Sequence, residues 1–223
     1  MKFVEYADSE MMAIDLANIV AAELTEALHQ NDRVCLAVAG GTTPGPIFDA
    51  LCAADLDWTR VDVMPTDERW VPEDHARSNA GLIKQRLLVD RASAARFLPL
   101  FMPATRPEDV LPELESMIAP ALPIDVALIG MGEDMHTASL FPDSDGLAAA
   151  LDPHAPILVP IRRPDLPESR VTLSARVLRA ATCKHVVFRG AAKKEALTQS
   201  RHLPDIEAPI QSVLSDATIH WAV

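Results

Sequence analysis

Short apolar runs that end near a glycine recur along the chain, and they constrain its fold more than any other feature. Residues 34–39, 124–129 and 185–188 are such runs, and each is followed within two residues by glycine. A strand that is apolar on both faces is typical of a buried parallel sheet. Because these strands alternate with segments of helical spacing, we predict a single α/β domain over residues 1–223. Its sheet is predicted to be doubly wound, mostly parallel and Rossmann-like.

The composition favours a cytoplasmic globular protein. Hydrophobic residues make up 49% of the chain, which is enough for a substantial core. No apolar run approaches the roughly 18 residues that span a bilayer, and the N-terminus lacks the apolar stretch of a signal peptide. The three cysteines are scattered without a C-x-x-C pair, which argues against a disulfide framework. We therefore expect a reduced, cytoplasmic protein.

The net charge of −12 restricts the expected partners. Nucleic-acid phosphates and anionic membranes require basic surfaces, so neither is a predicted partner. A small anion stays compatible with this charge if a pocket concentrates a few arginines, because the local field can oppose the net charge. We expect a small-molecule ligand and a monomer or weak homo-oligomer.

The first glycine-rich stretch has the order of a phosphate-binding loop. Gly40, Gly41, Thr42 and Thr43 follow the strand at 34–39, and a proline and a helical segment come next. Glycines permit close approach of the backbone, and free N–H groups at a helix start favour an anion. An ordinary strand–helix turn with a threonine cap fits the same residues equally well. The Gly-Lys-Ser/Thr of a Walker A loop is missing.

Charged residues follow two further strands. Asp67 and Arg69 come after the third strand, in a segment that we predict as a loop, where a solvated ion pair is the simplest alternative. Asp134 and His136 follow the strand at 124–129, and residues 137–141 are predicted to open a helix. Histidine titrates near neutrality and suits general acid–base catalysis. Ligands collect at the carboxyl ends of strands in open α/β sheets, so we predict a site here.

Several common chemistries lack their motif. Gly130-x-Gly132 is not a dinucleotide fingerprint, because Met135 stands where a third glycine would be needed. A Gly-x-Ser-x-Gly elbow is absent, and the seven histidines form no His-Glu-x-x-His pattern. The sequence therefore gives no support to a dinucleotide site, a serine-hydrolase nucleophile or a zinc site.

Five motifs, in the same order along the chain, resemble the 6-phosphogluconolactonase family. They are Ala-Gly-Gly-Thr-Thr-Pro at 39–44, Asp-Glu-Arg-Trp-Val-Pro at 67–72, Gly-Met-Gly-Glu-Asp-Met-His-Thr-Ala-Ser-Leu-Phe-Pro at 130–142, Arg-Val-Thr-Leu at 170–173 and Gly-Ala-Ala-Lys at 190–193. The family shares its fold with glucosamine-6-phosphate isomerase/deaminase. The resemblance implies hydrolysis of 6-phospho-D-glucono-1,5-lactone to 6-phosphogluconate in the oxidative pentose phosphate pathway, without metal or cofactor.

The resemblance also implies catalytic roles. His136 would be the general base that activates water, and Asp134 would orient it. Asp67 and Arg69 would line the sugar ring and the lactone. Arg69 would stabilise the developing oxyanion, a role that needs a preorganised donor.

The 6-phosphate would be bound by residues 40–43, with Lys193 and Arg170 as cationic partners, again by resemblance. Two positions depart from the family pattern. Ala39 stands where many members have serine, which removes one hydroxyl. Met135 stands where glycine is common, and glycine adopts positive φ far more easily.

Two alternatives remain from the sequence. An aminosugar-phosphate isomerase/deaminase would share the phosphate loop and an aspartate at position 67, but it should carry His-Ile-Ala-Phe-Asn-Glu where this chain has His-Thr-Ala-Ser-Leu-Phe. A non-enzymatic sugar-phosphate-sensing domain usually accompanies a DNA-binding segment, and no spare helical module is evident in the 223 residues.

Overall fold

The computed structural model describes all 223 residues and contains two sheets and seven α-helices. The strands are β1 (Lys2–Tyr6), β2 (Val34–Val38), β3 (Val61–Pro65), β4 (Asp67–Arg69), β5 (Arg96–Phe97), β6 (Val126–Gly130), β7 (Leu158–Ile161), β8 (Arg170–Leu173), β9 (Cys183–Arg189) and β10 (Thr218–Ala222). The helices are α1 (Ser9–Gln30), α2 (Gly45–Leu51), α3 (Asn79–Arg86), α4 (Leu111–Ile118), α5 (Leu147–Leu151), α6 (Ala175–Arg179) and α7 (Ala191–Ser200). No helix is long and apolar enough to cross a membrane.

The main sheet has seven strands in the order β1-β10-β9-β6-β2-β3-β5, and every neighbouring pair is parallel. The predicted doubly wound, mostly parallel sheet is therefore confirmed. The chain runs from β2 outward to β3 and β5, then returns beside β2 as β6 and runs outward the other way. This reversal creates a crevice between the loops that follow β2 and β6, where ligands bind in open α/β sheets.

The sheet separates two apolar cores, and β2 shows how the sequence builds both. All five of its residues are buried. Cys35 and Ala37 belong to one core cluster, whereas Val34, Leu36 and Val38 belong to the other. Alternate side chains of a strand point to opposite faces, so a continuous apolar run supplies both layers at once.

A second, three-stranded antiparallel sheet has the order β4-β8-β7 and corrects one prediction. Residues 67–69 were predicted as a loop, but they form β4 because they pair with β8. In this register Asp67 lies opposite Thr172, and Arg69 lies opposite Arg170. Three consecutive charged residues show no apolar alternation, so the sequence contained no indication of this strand. The pairing places Arg69 beside Arg170.

The prediction that a helix opens at residues 137–141 is wrong. Thr137 and Leu140 form an isolated antiparallel bridge, and Ala138 has a φ of 48°. The polar groups of this segment bond to other elements instead. The Thr137 hydroxyl donates to the Gly130 carbonyl at 2.9 Å, the Ser139 hydroxyl donates to Asp67 of β4 at 2.6 Å, and the Ser139 backbone N–H donates to Thr172 Oγ1 of β8 at 3.3 Å. These contacts fix a turn that carries the preceding histidine.

Candidate active site

A cavity of about 450 Å³ lies at the carboxyl ends of β2 and β6, in the crevice where the strand order reverses. Nine of the ten residues predicted for the site line it, and Asp134 lies behind one of them. The nine are Gly40, Gly41, Thr42, Thr43, Asp67, Arg69, His136, Arg170 and Lys193. The structure therefore brings these nine residues together around one cavity, although they come from separate segments of the chain.

His136 is held by a carboxylate through one of its ring nitrogens. Its Nδ1 forms a short hydrogen bond with Oδ1 of Asp134, whose other oxygen accepts from Arg163 at 3.2 Å. Burial raises the pKa of Asp134, but the hydrogen bonds from His136 and Arg163 outweigh it and hold that pKa well below its usual range. An ionised carboxylate can only accept, so Nδ1 carries the proton and the unpartnered Nε2 keeps its lone pair.

The turn that presents His136 depends on unusual backbone at two positions. A Cβ on Gly132 would collide with the His136 ring, so only glycine fits there. Met135 has a φ of 65°, the left-handed conformation that glycine would adopt more easily. Hydrogen bonds on both sides hold it, from its own N–H to Gly132 and from Ile210 to its carbonyl, at 3.1 and 3.0 Å. The methionine thus keeps the geometry that a glycine would favour.

Arg170 is the most unusual charge in the cavity. Only 5% of its surface is exposed, and the guanidinium has neither a salt bridge nor a hydrogen bond, with Nε buried and unpartnered. Burial, and then the neighbouring Arg69, lower the pKa of Arg170. A buried cation without a partner is costly, and a bound anion would remove that cost.

Arg69 faces Arg170 but is oriented by the protein. Its Nη1 donates to the carbonyl of Arg77 at 2.7 Å and to Oδ1 of Asn79 at 3.0 Å, while its Nε is buried without a partner. Asn79 in turn donates to the Asp67 carbonyl at 2.7 Å. The Arg69 guanidinium is therefore held in a fixed position at the cavity wall.

Asp67 presents a buried carboxylate to the cavity. Its two oxygens accept from Ser139 Oγ at 2.6 Å and from Thr66 Oγ1 at 3.2 Å. The carboxylate of the adjacent Glu68 is used differently, because it accepts the backbone N–H groups of Asn79 and Ala80, both at 2.7 Å, at the start of α3. Glu68 therefore anchors the helix that carries Asn79, whereas Asp67 lines the cavity.

The glycine loop after β2 approaches the rest of the site closely. A Cβ on Gly40 would collide with Oδ1 of Asn79, and Gly41 has a φ of +91°. These glycines therefore permit contacts and a turn that other residues would block. Thr42 and Thr43 place their side chains along the cavity ahead of α2.

The two lysines at the start of α7, Lys193 and Lys194, have different surroundings. Lys194 pairs with Glu5 at 3.0 Å and lies 3.7 Å above the Trp221 ring, which places it outside the cavity. Lys193 lines the cavity and has no salt bridge. Burial lowers the pKa of Lys193, and Glu133 partly opposes that effect. Lys193 is thus the cation that the start of α7 offers to a ligand.

Sequence analysis missed the roles of four residues: Asn79, Ser139, Phe141 and Arg163. The first three lie inside the motifs or next to them, but spacing could not reveal that they bridge β4, β8 and the histidine turn. Arg163 belongs to a proline-rich basic loop and no pattern singled it out. The structure contains no group of three or more His, Cys, Asp or Glu side chains arranged for a metal ion.

Residues 7–221 match the family model described as glucosamine-6-phosphate isomerases/6-phosphogluconolactonase. The chain belongs to this family. The 6-phosphogluconolactonase of Pseudomonas aeruginosa is 40% identical over 210 residues, which cover 92% of this chain and 88% of that protein. The protein of the same name from Mesorhizobium japonicum is 39% identical over 97% of this chain and 93% of its own length.

Solved structures agree in fold over the whole chain. A 6-phosphogluconolactonase from Shewanella baltica superposes with a TM-score of 0.96 at 29% identity, covering 100% of this chain and 98% of that one. A monomeric glucosamine-6-phosphate deaminase has a TM-score of 0.82 at 16% identity, covering 100% and 97%. The second likeness shows the shared fold alone. The fold therefore does not separate the two activities, and the residues of the site must do so.

Proposed function

We propose that this chain, as one lactonase domain over residues 1–223, hydrolyses 6-phospho-D-glucono-1,5-lactone to 6-phosphogluconate. The observation that carries the proposal is the histidine with an unpartnered Nε2 in the same cavity as three cations without salt bridges, Arg69, Arg170 and Lys193. A base and an anion-binding region in one cavity suit a phosphorylated ester. The names of the relatives at 40% and 39% identity support the same reaction.

His136 acts as the general base in this proposal. Its Nε2 removes a proton from water as the water oxygen bonds to the lactone carbonyl carbon, and Asp134 stabilises the resulting imidazolium. The carbonyl oxygen becomes an oxyanion, which Arg69 stabilises from its fixed position. When the ring C–O bond breaks, the imidazolium returns its proton to the departing ring oxygen. The product acid then releases one proton to solvent.

The remaining groups bind and orient the substrate. Arg170 and Lys193 neutralise the 6-phosphate, and the backbone and hydroxyls of residues 40–43 complete its binding. Asp67 accepts hydrogen bonds from sugar hydroxyls while Ser139 holds it in place. Binding energy from the phosphate thereby fixes the carbonyl beside His136, which makes the attack effectively unimolecular.

A lactonase assay with subtraction of spontaneous hydrolysis tests the proposal, run in parallel with glucosamine 6-phosphate. We expect acceleration of the phosphorylated lactone and no ammonia from the aminosugar. Release of ammonia without lactone hydrolysis would favour the deaminase instead. Binding of both sugar phosphates without turnover would favour a sensing domain.

A further inference from the structure

Arg163 contacts the carboxylate that holds the proposed base. It lies in the loop between β7 and β8, and its Nη1 is 3.2 Å from Oδ2 of Asp134. The other side of the guanidinium is bound by Asp165, through Nε at 2.6 Å and Nη2 at 2.8 Å. Asp165, Arg163, Asp134 and His136 therefore form one chain of charged hydrogen bonds.

The same guanidinium lies over an aromatic ring. Arg163 Cζ lies 4.7 Å from the centre of the Phe141 ring, within the range of a cation–π contact. The Phe141 ring also packs against His136, with ring centres 4.5 Å apart. Arg163 is thus connected to His136 through two intermediate side chains, the Asp134 carboxylate and the Phe141 ring.

The hydrogen bonds of Arg163 distinguish it from Arg170. Both line the cavity, but Arg163 binds two carboxylates and Arg170 binds none. The backbone beside Arg163 is also fixed, because Arg162 and Asp145 exchange two backbone hydrogen bonds of 2.8 and 3.0 Å. Arg163, whose donors are already bonded to carboxylates, is therefore able to orient a neighbouring side chain. Arg170, which has no ionic partner, is better suited to binding an anionic ligand.

We infer that Arg163 is a positioning residue for His136. It holds Oδ2 of Asp134, so that Oδ1 stays directed at Nδ1 of the histidine and Nε2 stays free. The inference rests on the proposed function for its kinetic consequence, but its geometric consequence holds without substrate.

Asp134 needs such a partner because its side chain is 42% exposed. Water can compete for an exposed carboxylate, and rotation about its last bond would release the ring. A charged donor on the second oxygen removes that freedom. Outer partners of metal-ligating side chains, which act in the same way through the group that they orient, change metal affinity or activity by roughly 10–100-fold.

Kinetics of Arg163→Gln provide the first test. We expect kcat to fall about tenfold or more while KM for the phosphorylated lactone changes less than about twofold. Arg163→Lys, which keeps the charge, should recover part of the lost rate. The matched control is Arg162→Gln, which removes an equal charge one residue away, where the side chain pairs with Glu108, and should behave as wild type. A rise in KM with unchanged kcat would make Arg163 a substrate ligand and overturn the inference.

A double-mutant cycle separates positioning from a general effect on the cavity. In the Asp134→Asn background, Arg163→Gln should lower kcat less than about twofold further, because the group through which it acts is already changed. Independent, multiplicative losses in the two variants would contradict the inference.

The ¹⁵N signals of the His136 ring supply a readout without substrate. Wild type and Arg162→Gln should show the proton on Nδ1, whereas Arg163→Gln should show a mixture of both tautomers. An unchanged Nδ1–H form in Arg163→Gln would overturn the inference even if lactone hydrolysis is confirmed. Conversely, a shifted tautomer in a chain without lactonase activity would reject the proposed function and keep the inference.

Discussion

Two hydrogen-bonded histidine networks in this molecule differ in whether a ring nitrogen is left without a partner. The interior network lies between the main sheet and α1, and all four of its ring nitrogens are bonded. Its members, in order of contact, are Asp15, Tyr6, His220, His185 and Glu23, with successive distances of 2.8, 2.9, 3.0 and 2.7 Å.

The other network contains His136, which uses only Nδ1 and presents Nε2 to the cavity. Buried polar groups are normally satisfied, so complete bonding of the interior network identifies a structural role. A ring bonded on one side and open on the other has a nitrogen that can accept a proton, as the proposed general-base role requires. The difference between the networks therefore separates a histidine that stabilises from one that can react.

The largest expected effect is the loss of the reactive nitrogen. His136→Asn should lower kcat for the phosphorylated lactone by about 10²–10⁴-fold, because asparagine offers no base at that position. The free energy of unfolding should fall by about 1–3 kcal/mol, because the variant loses the hydrogen bond to Asp134 and the packing on Phe141, and the protein should remain folded. Background-subtracted rates and urea unfolding measure both quantities. Wild-type turnover by the variant would refute the general-base role.

The interior network should respond to pH through stability. Burial, and then the neighbouring His185, lower the pKa of His220 from 6.5 to about 4. Between these values the unfolded chain binds more protons, so the free energy of unfolding should rise with pH across this window. The contribution is about 3 kcal/mol at most, fully present above about pH 6.5 and lost by about pH 4.

Urea unfolding between about pH 4 and pH 7 measures this contribution as the difference between wild type and His220→Gln. The slope should be smaller in the variant, whose activity per folded molecule should match wild type. Equal slopes in the two proteins would show that His220 does not carry the effect.

A smaller effect is expected from removing Lys193, the lysine proposed to bind the 6-phosphate. Lys193→Ala should raise KM for the phosphorylated lactone by about 10–100-fold, the value of one hydrogen bond between charged groups. Unphosphorylated gluconolactone should be affected less than about twofold. Lys194→Ala is the matched control, because that lysine pairs with Glu5 outside the cavity. A similar change in KM for both lactones would remove Lys193 from the phosphate site.

The smallest effect concerns the turn that presents His136. Met135→Gly should be more stable than Met135→Ala by about 1 kcal/mol, because glycine tolerates a φ of 65° and alanine does not. Both variants lose the same side-chain packing beyond Cβ. The difference between their free energies of unfolding therefore measures the cost of the left-handed backbone conformation. Thermal unfolding measures it, and an advantage for alanine would show that the turn relaxes.

Sequence analysis predicted the main sheet and most of the residues that line the cavity, because both depend on local patterns. Apolar runs followed by glycine indicate β2, β6 and β9, which lie next to one another or to the reversal of strand order, and the loops after β2 and β6 meet at that reversal. The pairing of β4 with β8 could not be read in this way. It joins distant segments of the chain, and the charged residues 67–69 carry no apolar alternation that indicates a strand.

The two histidine networks could not be separated from sequence for the same reason. His185 and His220 lie in apolar runs and His136 follows one, and only tertiary contacts decide which nitrogens are bonded. Arg163 is a similar case, since its loop position gave no sign that it reaches Asp134. Motifs indicated the residues proposed to react, but not the residues that orient them.

The position of the proton on the His136 ring is the most direct test of the distinction between the two networks. Long-range ¹H–¹⁵N spectra of ring-labelled protein, assigned with His136→Asn, report it at a pH where the ring is neutral. A proton on Nδ1 and a bare Nε2 are the result expected from the Asp134 contact. A proton on Nε2 would contradict it, because the nitrogen that faces the cavity would then be a donor and not a base.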